Sequence, residues 1–507
     1  MRKDTLLDKI GLLTIRHSNW CLAIYSAVYW FVAVRVGASA LLTSDEALTW
    51  KIARLPSVAA ISQALLNGTD QELPLVHLLV RLSHFFFGAS HLSSRLPSAF
   101  GFWICLCSIY FILKRHIPAP YALAGMLLPV ITLPWYYAFE ARAYGILLGS
   151  AAFAIACWDT AASKSPWRKP ALAGITLGLA IALSTHMMAL MLALPLALGE
   201  SIRSMERRRI DYPVWMSFGL ATPAVLMYPR VFQAAAGFDL RSLVPALETI
   251  PDFYGELLAS GVFAVLVAAL AAWLVRGDDD DTRTGGLPRH LLAALVALSA
   301  LPAIFIVIAH FTKHFYFLDR YGLKAGIGLS ALFAAAACSV FRGSVRCGVA
   351  ILAVLTVWTA GTRLRPALRH MDTPEIRFAH EFPLLIEALG GSLPVVVTEP
   401  NDLGVADFYL PQPTAARLRY LSDHENAWRT PFEDVGQQLT ARIKTYVSLQ
   451  GSIQPYATFV RENRRFVIDV DEGHAPGWLY YLLDRDHCVV TLLKRAGRET
   501  IYTVEVP

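Results

Sequence analysis

Apolar residues in this chain come in long blocks, and that one pattern limits the folds open to it more than any other. A bilayer core about 30 Å thick takes roughly 20 apolar residues per helical span. Stretches of that kind run over residues 20–42, 96–113, 119–138, 143–162, 170–185, 187–202, 214–229, 256–275, 290–310, 322–341 and 346–363. Of the 507 residues, 55% are hydrophobic and 17% charged, against about 25% charged in a soluble globular chain. That balance excludes disorder, a collagen-like fibre, a small disulfide scaffold and a single soluble domain. The expected fold is a polytopic α-helical membrane protein of about eleven transmembrane helices, with a small C-terminal α/β domain outside the membrane.

The loops set the orientation. Residues 73–88 are apolar too, but His77, Arg81 and His84 interrupt them on one helical face. That segment reads as an interfacial helix whose polar stripe faces lipid headgroups. With it left out of the count, the inside loops carry Lys114 and Arg115; Lys164, Arg168 and Lys169; Arg203 and residues 207–209; Arg276, Arg283 and Arg289; and Arg342 with Arg346. Basic residues in short loops stay on the cytoplasmic side, and the acidic run 278–281 counts little against them. The N-terminus is therefore expected in the cytoplasm. Residues 1–19 have charges on both sides of a weak apolar patch and no small-residue cleavage site, so they read as a lead-in and not a signal peptide. Arg35 is the clearest charge at mid-bilayer depth and is long enough to snorkel.

An odd number of spans puts the chain from Pro366 onward outside the cytoplasm. It holds 14 Lys and Arg against 19 Asp and Glu, so the excess of base lies in the first 365 residues. Topology explains that excess without a nucleic acid partner. Strand-like runs at 395–398, 417–421, 466–470, 489–493 and 501–506 alternate with helix-like ones at 375–389, 431–445 and 476–483. The expected domains are 1–365 in the membrane and 366–507 outside it. Cys488 is the tail's one cysteine, so the tail has no internal disulfide, and no Cys/His cluster has zinc-ligand spacing.

The outside segments hold the unusual residues. The first has Asp45, Glu46, Lys51, Arg54, Asp70, Glu72 and Arg95; the second has Glu140, Arg142 and Tyr144; the third is Thr185-His186. A longer loop carries Arg241, Glu248 and Asp252, and the last runs from Lys313 and His314 through Asp319, Arg320 and Tyr321 to Lys324. Acids and bases thus meet at one membrane face. A carboxylate there can take a proton from a hydroxyl nucleophile, and cations can stabilise a phosphate leaving group. Each group also has a plain structural reading. Asp45-Glu46 can end a span, Glu140 and Arg142 can pair, Asp319-Arg320 can be a loop ion pair, and His186 can be a satisfied polar residue at a turn.

Taken in order, these residues resemble a known family. The carriers are Asp45-Glu46 after the first span, Glu72-Leu-Pro74-Leu75, Arg95-Leu-Pro97-Ser98-Ala99, Phe139-Glu140-Ala-Arg142-Ala-Tyr144, Thr185-His186 and Asp319-Arg320-Tyr321. The chain resembles the bacterial GT-C class glycosyltransferases that use polyprenyl-phosphate sugars, relatives of the protein O-mannosyltransferases and the lipid A aminoarabinose transferase. That resemblance implies a hexosyl or pentosyl transferase of the bacterial inner membrane. Its donor would be a sugar on undecaprenyl phosphate, its acceptor a lipid, glycan or protein of the envelope, and the anomeric configuration would invert. Asp45 would be the general base, Glu46 its neighbour in positioning the acceptor, and Glu140 part of a second catalytic element. Arg95, Arg142, Arg320 and Tyr321 would bind the donor phosphate, and Tyr144 and His186 would complete the site.

The sequence departs from the family's fuller His/Lys-Pro-Pro-Leu motif at Glu72-Leu-Pro74-Leu75, and Ala143 stands where proline is common. Some relatives hold a divalent metal at the carboxylates and others work without one. Asp45, Glu46 and Glu140 offer oxygen ligands of that kind, so the cofactor stays open. The alternative is a membrane transporter or a flippase for lipid-linked glycans. Such proteins place ionisable groups near the midplane and often show repeats; here the charges crowd one face and no repeat is visible.

Overall fold

The computed structural model describes residues 6–163, 165–235, 244–276, 286–313, 315–422, 442–471, 481–497 and 499–507. Arg241, Arg283, the acidic run 278–281, His314 and most of the helix-like stretches 431–445 and 476–483 lie outside the described residues. Among those described, seven helices are long and apolar enough to cross a bilayer: Ser18–Ser39, His91–Lys114, Ala143–Ala162, Met187–Glu206, Thr249–Leu274, Arg289–Thr312 and Val345–Leu368. The other four expected spans fall on shorter or broken elements. Ala119–Ile131 stops before Pro134, Arg168–Thr185 is short, and Ala325–Val340 is shorter still. Prolines 213, 223 and 229 split the stretch 214–229 into Tyr212–Gly219, a 3₁₀ turn Thr222–Met227 and Tyr228–Ala235. Proline removes a helical donor and clashes with the preceding turn, which a count of apolar residues does not register.

Small residues bring two of the long helices into backbone contact. A Cβ on Gly145 would lie 2.2 Å from Ser98 O, and one on Gly149 2.0 Å from Gly101 O. Such seams let helices associate inside a membrane, where apolar side chains gain nothing by leaving lipid. The consequence is functional: His91–Lys114 and Ala143–Ala162 start side by side, and Ser98 Oγ donates to Arg142 O at 2.7 Å. Arg95 and Arg142 therefore emerge together at one end of the bundle. The opposite end is tied by other ion pairs, Arg115 with Asp159 and Arg168 and Arg203 with Asp211.

The stretch 73–88 is the helix Pro74–Phe87, too short to span. Its polar stripe is the reverse of the expected one. His77, Arg81 and His84 point into the protein: His77 meets Asp70, Arg81 donates to Ala53 O and Leu55 O, and His84 meets Ser94 Oγ at 2.8 Å. Leu82, Phe85, Phe86 and Phe87 are the exposed ones. An apolar face turned outward suits lipid, and the polar stripe serves the protein. Arg35, free to snorkel by its length, instead donates to the carbonyls of Ala367 and Arg369.

The tail forms one six-stranded sheet from β1 (Val395–Val397), β2 (Leu418–Ser422), β3 (Ser452–Pro455), β4 (Arg465–Asp471), β5 (Val489–Ala496) and β6 (Glu499–Glu505), in the order β3-β2-β1-β4-β6-β5. The first four run parallel, and β6 pairs antiparallel with β4 and β5. Val396 faces one apolar core while Val395 and Val397 face another, as a central strand covered on both sides requires. The helix expected over 375–389 is broken into Pro374–Glu381 and Pro383–Gly390 by Pro383. The edge strand β3 carries no apolar run and was not expected from the sequence.

Candidate active site

Asp45 and Glu46 share the first turn of the helix Ser44–Ala53, yet their surroundings differ. Thr43 caps this helix: its hydroxyl accepts from Glu46 N, and Glu46 Oε2 accepts from Thr43 N. The box turns Glu46 inward, where it is 1% exposed. Its carboxylate accepts from Arg95 Nε and Nη2, both at 2.7 Å, and from Ala141 N at 2.7 Å. Arg95 spends its remaining N–H groups on the carbonyls of Gly37, Ala40 and Leu41. A guanidinium has five donors, and all five of Arg95 are engaged within the protein. The family resemblance implies a donor-phosphate role for Arg95, but this geometry leaves it no free N–H for one. Glu46, expected beside the acceptor, is likewise fully bonded to the protein.

Asp45 points the other way. Its side chain is 39% exposed, with Arg320 Nη1 at 3.4 Å and Arg142 Nη2 at 3.8 Å from Oδ2. Those contacts are long for charge-assisted bonds, which run about 2.7–2.9 Å. The carboxylate is thus oriented by cations while keeping lone pairs for an incoming hydroxyl. Arg320, 34% exposed, sits in the short helical turn Asp319–Gly322, and its Nε has no hydrogen-bond partner among the described residues.

Glu140 lies in the loop before Ala143–Ala162, half-buried. Burial, then the neighbouring Glu46 carboxylate, push its pKa up to about 8, with Arg142 and Arg320 pulling the other way. At neutral pH it is therefore largely protonated and able to donate a hydrogen bond. The structural alternative, a Glu140–Arg142 ion pair, is not formed. Arg142 is buried and grips Asp70 with both Nη atoms, at 2.7 and 3.2 Å, while its Nε lies 3.0 Å from Glu72 Oε1. Burial opposes the charge on Asp70, but Arg142 and then His77 outweigh it and hold its carboxyl below the ordinary range. Glu72 goes the opposite way: burial raises its pKa, and Arg142 offsets only part of that. The carboxylate oxygens of Asp70 and Glu72 and a ring nitrogen of His77 lie within 4.8 Å of one another, close enough to hold a cation. The cation among them is the Arg142 guanidinium, which supplies the positive charge this trio needs. Glu72 also accepts from Ala143 N at 2.8 Å, so it caps the helix that starts there.

His186 and the two tyrosines form the far wall. The His186 ring stands 6.0 Å from Tyr144 and 5.3 Å from Tyr321, centroid to centroid, and its Nδ1 accepts from Met188 N at 3.1 Å. Burial, then the charges of Lys324, Arg142 and Arg320, lower its pKa to about 3, so it is neutral. Tyr321 OH lies 3.0 Å from Tyr316 OH, which donates to Gln71 at 2.6 Å.

Lys324 was not among the residues expected to bind phosphate. It is 3% exposed, and its ammonium makes one bond, to Tyr321 O at 2.9 Å. No carboxylate among the described residues pairs with it. It borders a cleft walled by Met188, Leu301, Phe305, Phe317 and Tyr321. Spacing gave no signal for it, since Arg320 lies in the short helix Asp319–Gly322 and Lys324 caps the next one, Ala325–Val340. The site therefore offers one accessible carboxylate, one neutral carboxylic acid, and two cations without a full set of protein partners, beside an apolar cleft.

Comparison with known proteins gives a fold. No protein-family model matches the chain, and no curated protein sequence matches it. Among solved structures, it is similar to ArnT from Cupriavidus metallidurans in the apo state, at 12% identity and a TM-score of 0.55, over 96% of this chain and 98% of that one. It is equally similar to the same protein bound to undecaprenyl phosphate, at 13% identity and a TM-score of 0.53 over the same shares. The chain thus shares an ArnT-like fold over 96% of its length.

Proposed function

We propose that this chain is an integral-membrane glycosyltransferase. It moves a hexosyl or pentosyl unit from polyprenyl phosphate to a lipid, glycan or protein acceptor of the bacterial envelope, with inversion, at the extracytoplasmic face. The observation that carries the reading is the half-exposed Asp45 carboxylate facing Arg320, at one end of a bundle with the ArnT fold. The undecaprenyl phosphate held by ArnT supports the donor class, and the basic loops at the other end of the bundle support the orientation.

In this reading the acceptor hydroxyl gives its proton to Asp45, and its oxygen forms a bond to the anomeric carbon. The bond from that carbon to the phosphate oxygen breaks, and the phosphate leaves carrying the electron pair. Arg320 and Lys324 take up the charge on the phosphate; Arg95 and Arg142 act as positioning residues, through Glu46 and through Asp70 and Glu72. The direct test is turnover of a polyprenyl-phosphate sugar by the purified protein in vesicles, with mass spectrometry of envelope glycans from cells with and without it. Loss of one defined sugar is expected. An unchanged envelope, with lipid-linked glycan crossing the vesicles, would favour the flippase instead.

Lys324→Met keeps the buried stem and removes the charge, and a hydrogen bond to a charged group is worth about 1.5–3 kcal/mol. Donor KM should rise about 10–100-fold with the protein still folded; an unchanged KM removes Lys324 from the phosphate site. Glu140 predicts a pH effect. With its pKa at about 8, it is neutral below that pH and gains a negative charge above it, beside Asp45. An anionic donor is repelled by that charge, so donor KM should climb as pH rises through 8. Glu140→Gln stays neutral and should flatten the rise. A profile identical in parent and variant assigns the titration elsewhere.

A further inference from the structure

Among the described residues the Asp45 side chain makes only two contacts, both long, so its place is inherited from the backbone of residues 42–53. One flank of that backbone is held from the bundle, by Glu46 on Arg95 and Arg81 on Ala53 O. The other flank is held by the tail, through the helix Pro400–Tyr409. Leu42 N donates to Tyr409 OH at 2.7 Å, and His91 meets the same hydroxyl at 2.8 Å. Lys51 donates to the fully buried carboxylate of Asp407, whose other oxygen accepts from Gln450 N and Gly451 N at 2.6 and 2.8 Å. Trp50 stacks edge-on against Phe408 at 5.4 Å. Gly404 faces Ser44 so closely that a Cβ there would lie 2.7 Å from Ser44 Oγ and 3.1 Å from its Cβ. Positions 404, 407 and 408 recur on one helical face, and that face lies along the segment that carries Asp45.

From this juxtaposition we infer that the extracytoplasmic tail is a working part of the active site: Gly404 and Asp407 are positioning residues that set where Asp45 stands. The inference rests on the transferase reading for its catalytic consequence and on these contacts for its mechanical one. A buried ion pair is costly to form and costly to break, so a pair at this seam fixes one register between tail and helix. The missing Cβ at Gly404 is what allows the close approach to Ser44.

The test uses the full-length protein in detergent or vesicles. In Gly404→Ala the new methyl displaces the Ser44 hydroxyl and presses on Ser44 Cβ at 3.1 Å, which must give by a few tenths of an ångström at the start of the helix that carries Asp45. Because small misplacements of a reacting group are expensive, kcat should fall about threefold to tenfold with donor KM unchanged. Adding Ser44→Gly gives the new methyl room, and kcat should return to that of Ser44→Gly alone. Lys51→Met should lower kcat in the same pattern, and Lys51→Arg should recover it. Amide exchange over residues 43–50, with no substrate present, should speed up in Gly404→Ala and slow again in the double variant. Parent-like exchange in Gly404→Ala overturns the inference, and so does faster exchange with an unmoved kcat. If the parent proves to transfer no sugar, the transferase reading fails on its own. The exchange arm then still decides the mechanical coupling.

Discussion

Replacing Asp45 with Asn should cut sugar transfer roughly 10²–10⁴-fold, the range for loss of a general base. The substitution is near-isosteric and falls on a side chain that is 39% exposed with no short protein bond. Thermal stability in detergent should therefore stay near the parent's. Donor KM should change little or fall slightly, because a negative charge near an anionic donor is removed while Arg320 stays. This pattern separates a base from a structural carboxylate. Transfer by purified Asp45→Asn at near the parental rate would take Asp45 out of the mechanism; a collapse in stability would say that its loose contacts hold the fold. The proton has one alternative destination in the same space, Glu140, and Asp45→Asn tests that too. Glu140 as base would leave the Asn variant active, with a rate rising through pH 8 as that carboxyl ionises.

The sequence made the membrane class plain, because the length of an apolar block is set by bilayer thickness, not by the details of packing. It also made plain which residues share an end of the bundle: Glu46 meets Arg95, Asp45 faces Arg142 and Arg320, and His186 packs on Tyr321, with Glu140 within reach of the charges of Glu46, Arg142, Asp45 and Arg320. What it could not supply was direction. Glu46 and Asp45 are neighbours in the chain, and only the capping box at Thr43 decides which of them turns inward. The motif Thr-Ser-Asp-Glu is a legible cap, with a glutamate three residues after a threonine, so this one distinction was within reach. The partner of Arg142 was not. It takes Asp70 and Glu72 from a loop about 70 residues earlier instead of Glu140 two residues away, a choice set by packing between distant parts of the chain. Lys324 was hidden for another reason. A lysine at the head of an apolar run is ordinarily a snorkelling anchor, and its burial follows from long-range packing that no local pattern encodes.

Glu46→Gln should be the most destabilising single change at this end of the molecule. The carboxylate receives four donors, two on each oxygen: Arg95 Nε and Ala141 N on Oε1, Arg95 Nη2 and Thr43 N on Oε2. A glutamine of the same shape offers one carbonyl oxygen, so its amide nitrogen must face two donors in either orientation. Arg95 meanwhile keeps its charge, buried at 4% exposure with three backbone carbonyls and one neutral amide oxygen left to answer it. Breaking one side of a buried ion pair typically costs about 3–5 kcal/mol. That is a large share of the ~5–15 kcal/mol that separates folded from unfolded protein, so the midpoint of thermal unfolding in detergent should drop sharply. Arg95→Lys should repeat the effect, since one ammonium cannot reach five acceptors set in a planar fork. The opposite result is informative about chemistry. If Glu46→Gln melts like the parent but no longer transfers sugar, the proton passes through Glu46, and the division of labour between the two adjacent acids is the reverse of the one drawn from their bonds.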